Sequence, residues 1–265
     1  MTPNESAARP VVPDFHDPIR IVPLHVPTEL TRHTPENAQA TAPPQLTYRG
    51  GPLLTNVKVY PIFWGSAWHG SQSQLMTHIT DFFKFVLTSP LLDQMAEYNT
   101  PQLKIGHGSL VGTTVLTSPG PPKTTTDTAV RHMLQNQISL GHPVPKPDAN
   151  TLYFVYLPPG VTVVQGGSKS CQAFCGYHNA FSNQIFYAVM PYPGCTGCTG
   201  GLNVLDALTS TSSHELCEAI TDPIPGQGWY DDANGEIGDI CAWTTKKIGQ
   251  WTVQQEWSNQ QNKCI

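Results

Sequence analysis

The stretch SSHELCEAITDP, residues 212 to 223, places His214, Glu215 and Glu218 within five positions. On a helix, residues four apart stand one above the other, so His214 and Glu218 project side by side while Glu215 lies about 100° around the axis. This is the arrangement of the HExxH zinc-protease helix, where the i and i+4 side chains hold zinc and the intervening Glu is general base toward the bound water. A carboxylate oxygen ligates zinc at about 2.0 to 2.2 Å, so Glu218 in place of the second histidine preserves coordination. Its negative charge should make the bound water less acidic than at an all-histidine site.

A catalytic zinc needs a third protein ligand. The segment GWYDDANGEIGDIC, residues 228 to 241, offers Asp231, Asp232, Glu236 and Asp239. Asp239 is the first choice, because EIGDIC reads as a short extended piece returning past the helix, with Glu236 in reserve. Asp222, eight residues after His214, is expected to cap or orient the helix end. His178, between a Cys-Gly turn and a strand, is a candidate ligand or oxyanion-stabilising group on a loop. Together these residues predict a zinc-dependent hydrolase acting on a peptide or protein, with zinc on His214, Glu218 and Asp239 and Glu215 as general base. The plain alternative is an amphipathic helix, apolar at Leu202, Leu205, Leu208, Leu216 and Ile220, whose polar face meets water. Calcium is the alternative cation, since DDANGEIGD has the middle spacing of an EF-hand. However, Tyr230 and Cys241 stand where the first and last ligands of such a loop belong.

The remaining composition narrows the class. Charged residues make up 12% of 265 and the net charge is −5, without a basic patch, which argues against nucleic acid or an anionic membrane as partner. No run of about 18 apolar residues occurs, so no membrane-spanning helix is expected. Seven cysteines suggest an oxidising compartment and a secreted protein. Cys217, inside the helix, is the candidate free thiol, and the other six are free to pair. Cys171, Cys175, Cys195 and Cys198 also have zinc-site spacing, but disulfides are favoured. No basic stretch followed by an apolar run opens MTPNESAARPVVPDF, so the chain as given shows no signal peptide. The rival function is a non-catalytic extracellular or cell-wall protein with a structural zinc or calcium. Trp64, Trp68, Trp229 and Trp243 raise carbohydrate binding as a third reading.

The elements that must position these residues follow from the hydrophobic pattern. Residues 1 to 45, with nine prolines, read as a disordered leader, and residues 46 to 265 as a single domain. LLTNVKVYPIFW, TLYFVYLPPG and QIFYAVMPY read as strands, LKIGHGSLVGTTVL as a strand or hairpin, and QWTVQQEWS as an exposed strand. QLMTHITDFFKFVL reads as a helix with a Ser71/Gln74 capping box. TTDTAVRHMLQNQISLG reads as a helix ended by Gly141, and residues 203 to 222 as a long helix stopped by Pro223. Strands separated by helices predict an α/β domain: a mostly parallel or mixed sheet flanked by helices, with a zincin-like active helix, in a monomer.

Five segments in order, GGPLLTNVKVYPIFWGSAW, FCGYHNAF, YAVMPYPGCTGC, SSHELCEAITDP and EIGDIC, resemble the EXORDIUM or phosphate-induced protein family. That family is known mainly from secreted plant cell-wall proteins with bacterial and fungal relatives, and the matching segments span residues 50 to 241. The resemblance implies export, an extracellular setting and, in plants, a role in growth and carbon-status signalling. His178, His214, Glu215, Glu218, Glu236 and Asp239 all fall on its motif positions.

Overall fold

The computed structural model describes residues 21–25, 43–182 and 185–265. The β-rich runs of the sequence form one sheet of β1 (Ile21–Pro23), β2 (Lys58–Trp64), β3 (Ser109–Leu110), β4 (Thr114–Leu116), β5 (Thr151–Tyr156), β6 (Phe174–Phe181) and β7 (Ile185–Met190). They lie in the order β1-β6-β7-β5-β2, and the far edge of β2 takes β3 and then β4. β7, β5, β2, β3 and β4 are parallel, whereas β6 is antiparallel to both β7 and β1. A sheet strand covered on both faces is apolar throughout, and alternate residues of β5 accordingly enter different cores. Leu152, Phe154 and Tyr156 join the larger core, and Tyr153 and Val155 the smaller one.

The helices cover the two faces. They are α1 (Ser73–Val86), α2 (Pro90–Gln94), α3 (Asp127–Leu140), α4 (Thr196–Thr199) and α5 (Val204–Thr221). A hairpin of β8 (Thr245–Ile248) and β9 (Trp251–Gln254) follows. α1 buries Ile79, Phe82, Phe83 and Val86 in the larger core, and α3 buries Val130, Leu134 and Ile138 in the smaller one. The Thr126 hydroxyl accepts the Ala129 N–H at the start of α3, and Gly141 ends that helix in the left-handed region, as its sequence predicts. At the sheet, the Tyr177 and Tyr187 hydroxyls both donate to Asp127 in the first turn of α3. The architecture is α/β with a mixed sheet. No helix among the described residues is long and apolar enough to cross a membrane.

Several expectations are corrected. α1 begins at Ser73 after Gln72, with no side-chain cap, so the Ser71/Gln74 box is not formed. Residues 103 to 116 give two short strands parallel to β2 rather than a hairpin, because both pair with the same edge. β9 is buried, not exposed, since it lies against α5. Within the Pro-rich segment, Ile21–Pro23 adds an edge strand to β6, where Val22 packs beside the cysteines; residues 1–20 and 26–42 lie outside the described residues.

Candidate metal centre

α5 starts where the Asn203 side chain accepts the Asp206 N–H at 2.9 Å. It ends at Asp222, whose helical conformation is disfavoured by the following proline. One flank faces β6 and β7, and the β8–β9 hairpin covers the other. The polar residues from Thr209 to Glu218 are therefore buried, and a solvated polar face is excluded. Each buried polar group then needs a partner. Tyr156 and Ser212 share a hydroxyl hydrogen bond of 2.7 Å across to the sheet, and the Ser213 hydroxyl accepts the Gln254 N–H at 2.9 Å from the hairpin. Gly176 on β6 permits this close approach, because a Cβ there would lie 2.8 Å from Thr211 Cγ2 and 3.1 Å from Glu215 Oε1.

His214 and Glu218 sit side by side as their spacing predicts, with His214 Nε2 2.9 Å from Glu218 Oε1. Asp239 Oδ1 is 4.0 Å from the same nitrogen, and the Asp239 N–H donates to Glu218 Oε1 at 3.1 Å. The third residue arrives as expected but on a different backbone. EIGDIC ends in a 3-10 turn over Asp239–Cys241 rather than an extended piece, and the Asp239 carboxylate accepts the Glu236 N–H at 3.0 Å. Gly238 presses on the pair: a Cβ there would stand 2.8 Å from His214 Nδ1 and 2.9 Å from Glu218 Oε1. Gln254 orients the imidazole. Its amide donates to the Gly238 carbonyl at 2.9 Å, which directs its oxygen to His214 Nδ1 at 3.0 Å. In the neutral ring the proton is thereby assigned to Nδ1, and Nε2 keeps its lone pair. Nε2 is fully buried and has no hydrogen-bond partner among the described residues. One donor atom from each of His214, Glu218 and Asp239 lies within 4.8 Å of the others, a set able to hold a cation.

On the other side of Glu218 lies His178, on strand β6 rather than in a loop. Its Nε2 contacts the Asp222 carbonyl at 3.1 Å, and its Nδ1 stands 3.1 Å from Glu215 Oε2 and 3.4 Å from Glu218 Oε2. Glu236 Oε1 is 3.4 Å from His178 Nε2, so Glu236 belongs near His178 and not in the His214 set. Asp222 caps as expected: its carboxylate accepts the N–H groups of Gly226, Gln227 and Gly228. Without a cation the cluster is electrostatically crowded. Burial raises the carboxyls of Glu215, Glu236 and Asp239. Burial would lower both imidazoles, but the carboxylates around them drive His178 and His214 well above the usual histidine range. Glu218, raised by burial but flanked by both histidines, is brought down to about 2.

The other candidates are occupied elsewhere. Asp231 accepts the N–H groups of Gln45, Ala233 and Asn234, and Asp232 pairs with Arg49 in solvent. Cysteines pair 171 with 195, 175 with 198 and 241 with 264, leaving Cys217 free and buried, as the sequence suggests. Trp64 and Trp68 are buried in the two cores, while the indole N–H groups of Trp229 and Trp243 donate to the Tyr98 and Pro23 carbonyls. Gln254, Ser213, Gly176 and Gly238 were not legible as site residues, because their roles exist only through approach in space. No family model matches the chain, and no curated protein matches it by sequence.

Proposed function

We propose that this is an exported metalloprotein whose divalent cation, zinc in the first instance, is held by His214, Glu218 and Asp239 and fastens α5 to residues 236–241 beneath the β8–β9 hairpin. The observation that carries this is His214 Nε2. In the neutral ring it is a buried lone pair, held in place by Gln254, that faces two carboxylates and makes no hydrogen bond among the described residues. A metal-ligating histidine usually donates its other N–H to an oxygen in this way. Burial favours a role in stability: His214 and Glu215 are 0% exposed and Glu218 is 1% exposed, which leaves a peptide no route to them in this conformation. The three disulfides fit an extracellular protein. Export also accords with the EXORDIUM-like motifs, of which FCGYHNAF, SSHELCEAITDP and EIGDIC all meet at this cluster.

A second reading, metal-dependent hydrolysis of a peptide, is favoured by one specific feature. Glu215 Oε1 has no hydrogen-bond partner among the described residues, and three protein ligands leave a zinc position open. One experiment separates the two. Zinc-loaded protein is incubated with a broad peptide library, and its melting temperature is measured before and after chelation. The structural reading expects no cleavage and a clear fall in melting temperature on chelation. Cleavage that Glu215→Gln abolishes with zinc retained would establish the hydrolase instead, and a chelator-insensitive protein containing no metal would refute both.

A further inference from the structure

We propose that the centre holds two divalent cations, with a second one taken by His178 Nδ1, Glu215 and the Oε2 atom of Glu218, so that the Glu218 carboxylate bridges the pair. This rests on the first cation at His214, Glu218 and Asp239. A donor atom from each of His178, Glu215 and Glu218 lies within 4.8 Å of the others, as in the first set. The two sets share Glu218 alone, and they use its two different oxygens: Oε1 toward His214 at 2.9 Å and Oε2 toward His178 at 3.4 Å. A bridging carboxylate of this kind places two metals about 3.5 to 4 Å apart.

The tautomer of His178 supports the assignment independently. The Asp222 carbonyl can only accept, so His178 Nε2 donates to it and the proton of a neutral ring is spent there. Nδ1 is then left with a lone pair facing Glu215 Oε2 and Glu218 Oε2, two atoms that also have only lone pairs to offer when ionised. Something positive must lie between these three atoms, either one more proton or a cation. His214 stands in the same predicament on the opposite side of Glu218, with its N–H spent on Gln254. Glu215 adds an oxygen, Oε1, that is buried without a hydrogen bond among the described residues. Charge points the same way. Glu215, Glu218 and Glu236 are buried, the Asp239 side chain is 6% exposed, and the buried carboxyls of Asp222 and Glu256 lie close by; when such groups ionise in a dry interior their negative charge must be compensated. Glu236, near Nε2 rather than Nδ1, contributes its charge from behind the ring and not a ligand.

The test uses the full chain with its disulfides intact, stripped with a chelator, reloaded with Zn(II) and assayed by elemental analysis, and separately reloaded with Mn(II) for electron paramagnetic resonance. Two zinc ions per chain are expected in the wild type, falling to one in His178→Ala and to one in Asp239→Asn. Mn(II) at full loading should give a spin-coupled spectrum, which needs no variant to fold. One zinc per wild-type chain, unchanged in His178→Ala, would overturn the second site and leave the first intact. No bound metal would overturn both. Two Mn(II) ions with the spectra of isolated centres would overturn the shared Glu218.

Discussion

At the scale of single residues, the centre depends on side chains that never touch a cation. Gln254 acts in two directions: its amide N–H group is committed to the Gly238 carbonyl, and its oxygen therefore accepts from His214 Nδ1. Gln254→Leu keeps much of the volume and removes both contacts, leaving the imidazole free to turn or to change tautomer. Loss of such an orienting partner weakens metal binding about 10- to 100-fold. Competition against a chromophoric zinc chelator should show that drop, and unchanged affinity would mean that packing alone holds the ring. HELCE and Asp239 were legible because helical periodicity and ligand chemistry are written in residue types. Gln254 was not, since nothing in QWTVQQEWS distinguishes an amide that meets a histidine 40 positions earlier from one that faces water.

Among elements, the sequence was most informative where local rules act alone. The C-terminal ends of α3 and α5 follow from Gly141 and Pro223, and the strands around Tyr153 and Tyr187 follow from their composition. It was least informative where a distant element overrides the pattern. β9 alternates like a surface strand yet lies buried on α5, and His178 reads as a loop residue because Cys175 and Gly176 stand just before it, inside its strand. The same covering by the hairpin buries Glu256, just after β9, with both carboxylate oxygens lacking a hydrogen bond among the described residues. Burial drives its carboxyl well above the usual range, with Glu218 and Asp239 adding to the effect, His214 and Lys246 opposing it, and the Cys217 thiol close by. A carboxyl raised in the folded state contributes stability that is fully present below its unfolded pKa, about 4.3, and is lost as pH rises through the folded value. Glu256→Gln removes that loss. In zinc-saturated protein the variant should have a flatter dependence of melting temperature on pH, and at pH 8 it should melt higher than the wild type. Parallel profiles for the two proteins would show that Glu256 ionises freely in the fold.

For the whole molecule, the cluster joins segments that lie apart along the chain: β6, α5 and residues 236–239, with β9 of the hairpin packed on α5. The disulfides do not duplicate this link. Two of them tie residues 171–175 to residues 195–198, and the third ties Cys241 to Cys264, so none spans from β6 to the turn that carries Asp239. On the proposed function, cation binding would be coupled to global folding, and the unfolded chain would compete poorly for zinc because its disulfides leave Cys217 as the one free thiol. Under these conditions, zinc that binds only the native state stabilises it by mass action, adding about 1.4 kcal/mol for each tenfold rise in free zinc per cation bound. Urea unfolding in zinc buffers over several decades of free concentration measures that slope directly. A slope of about 1.4 kcal/mol per decade corresponds to one cation, and about twice that to two. Because the count comes from stability alone, it is independent of any activity and of any metal held loosely on the surface of both states. A stability that does not change with free zinc would mean that protons, not metal, compensate the buried carboxylates between His178 and His214.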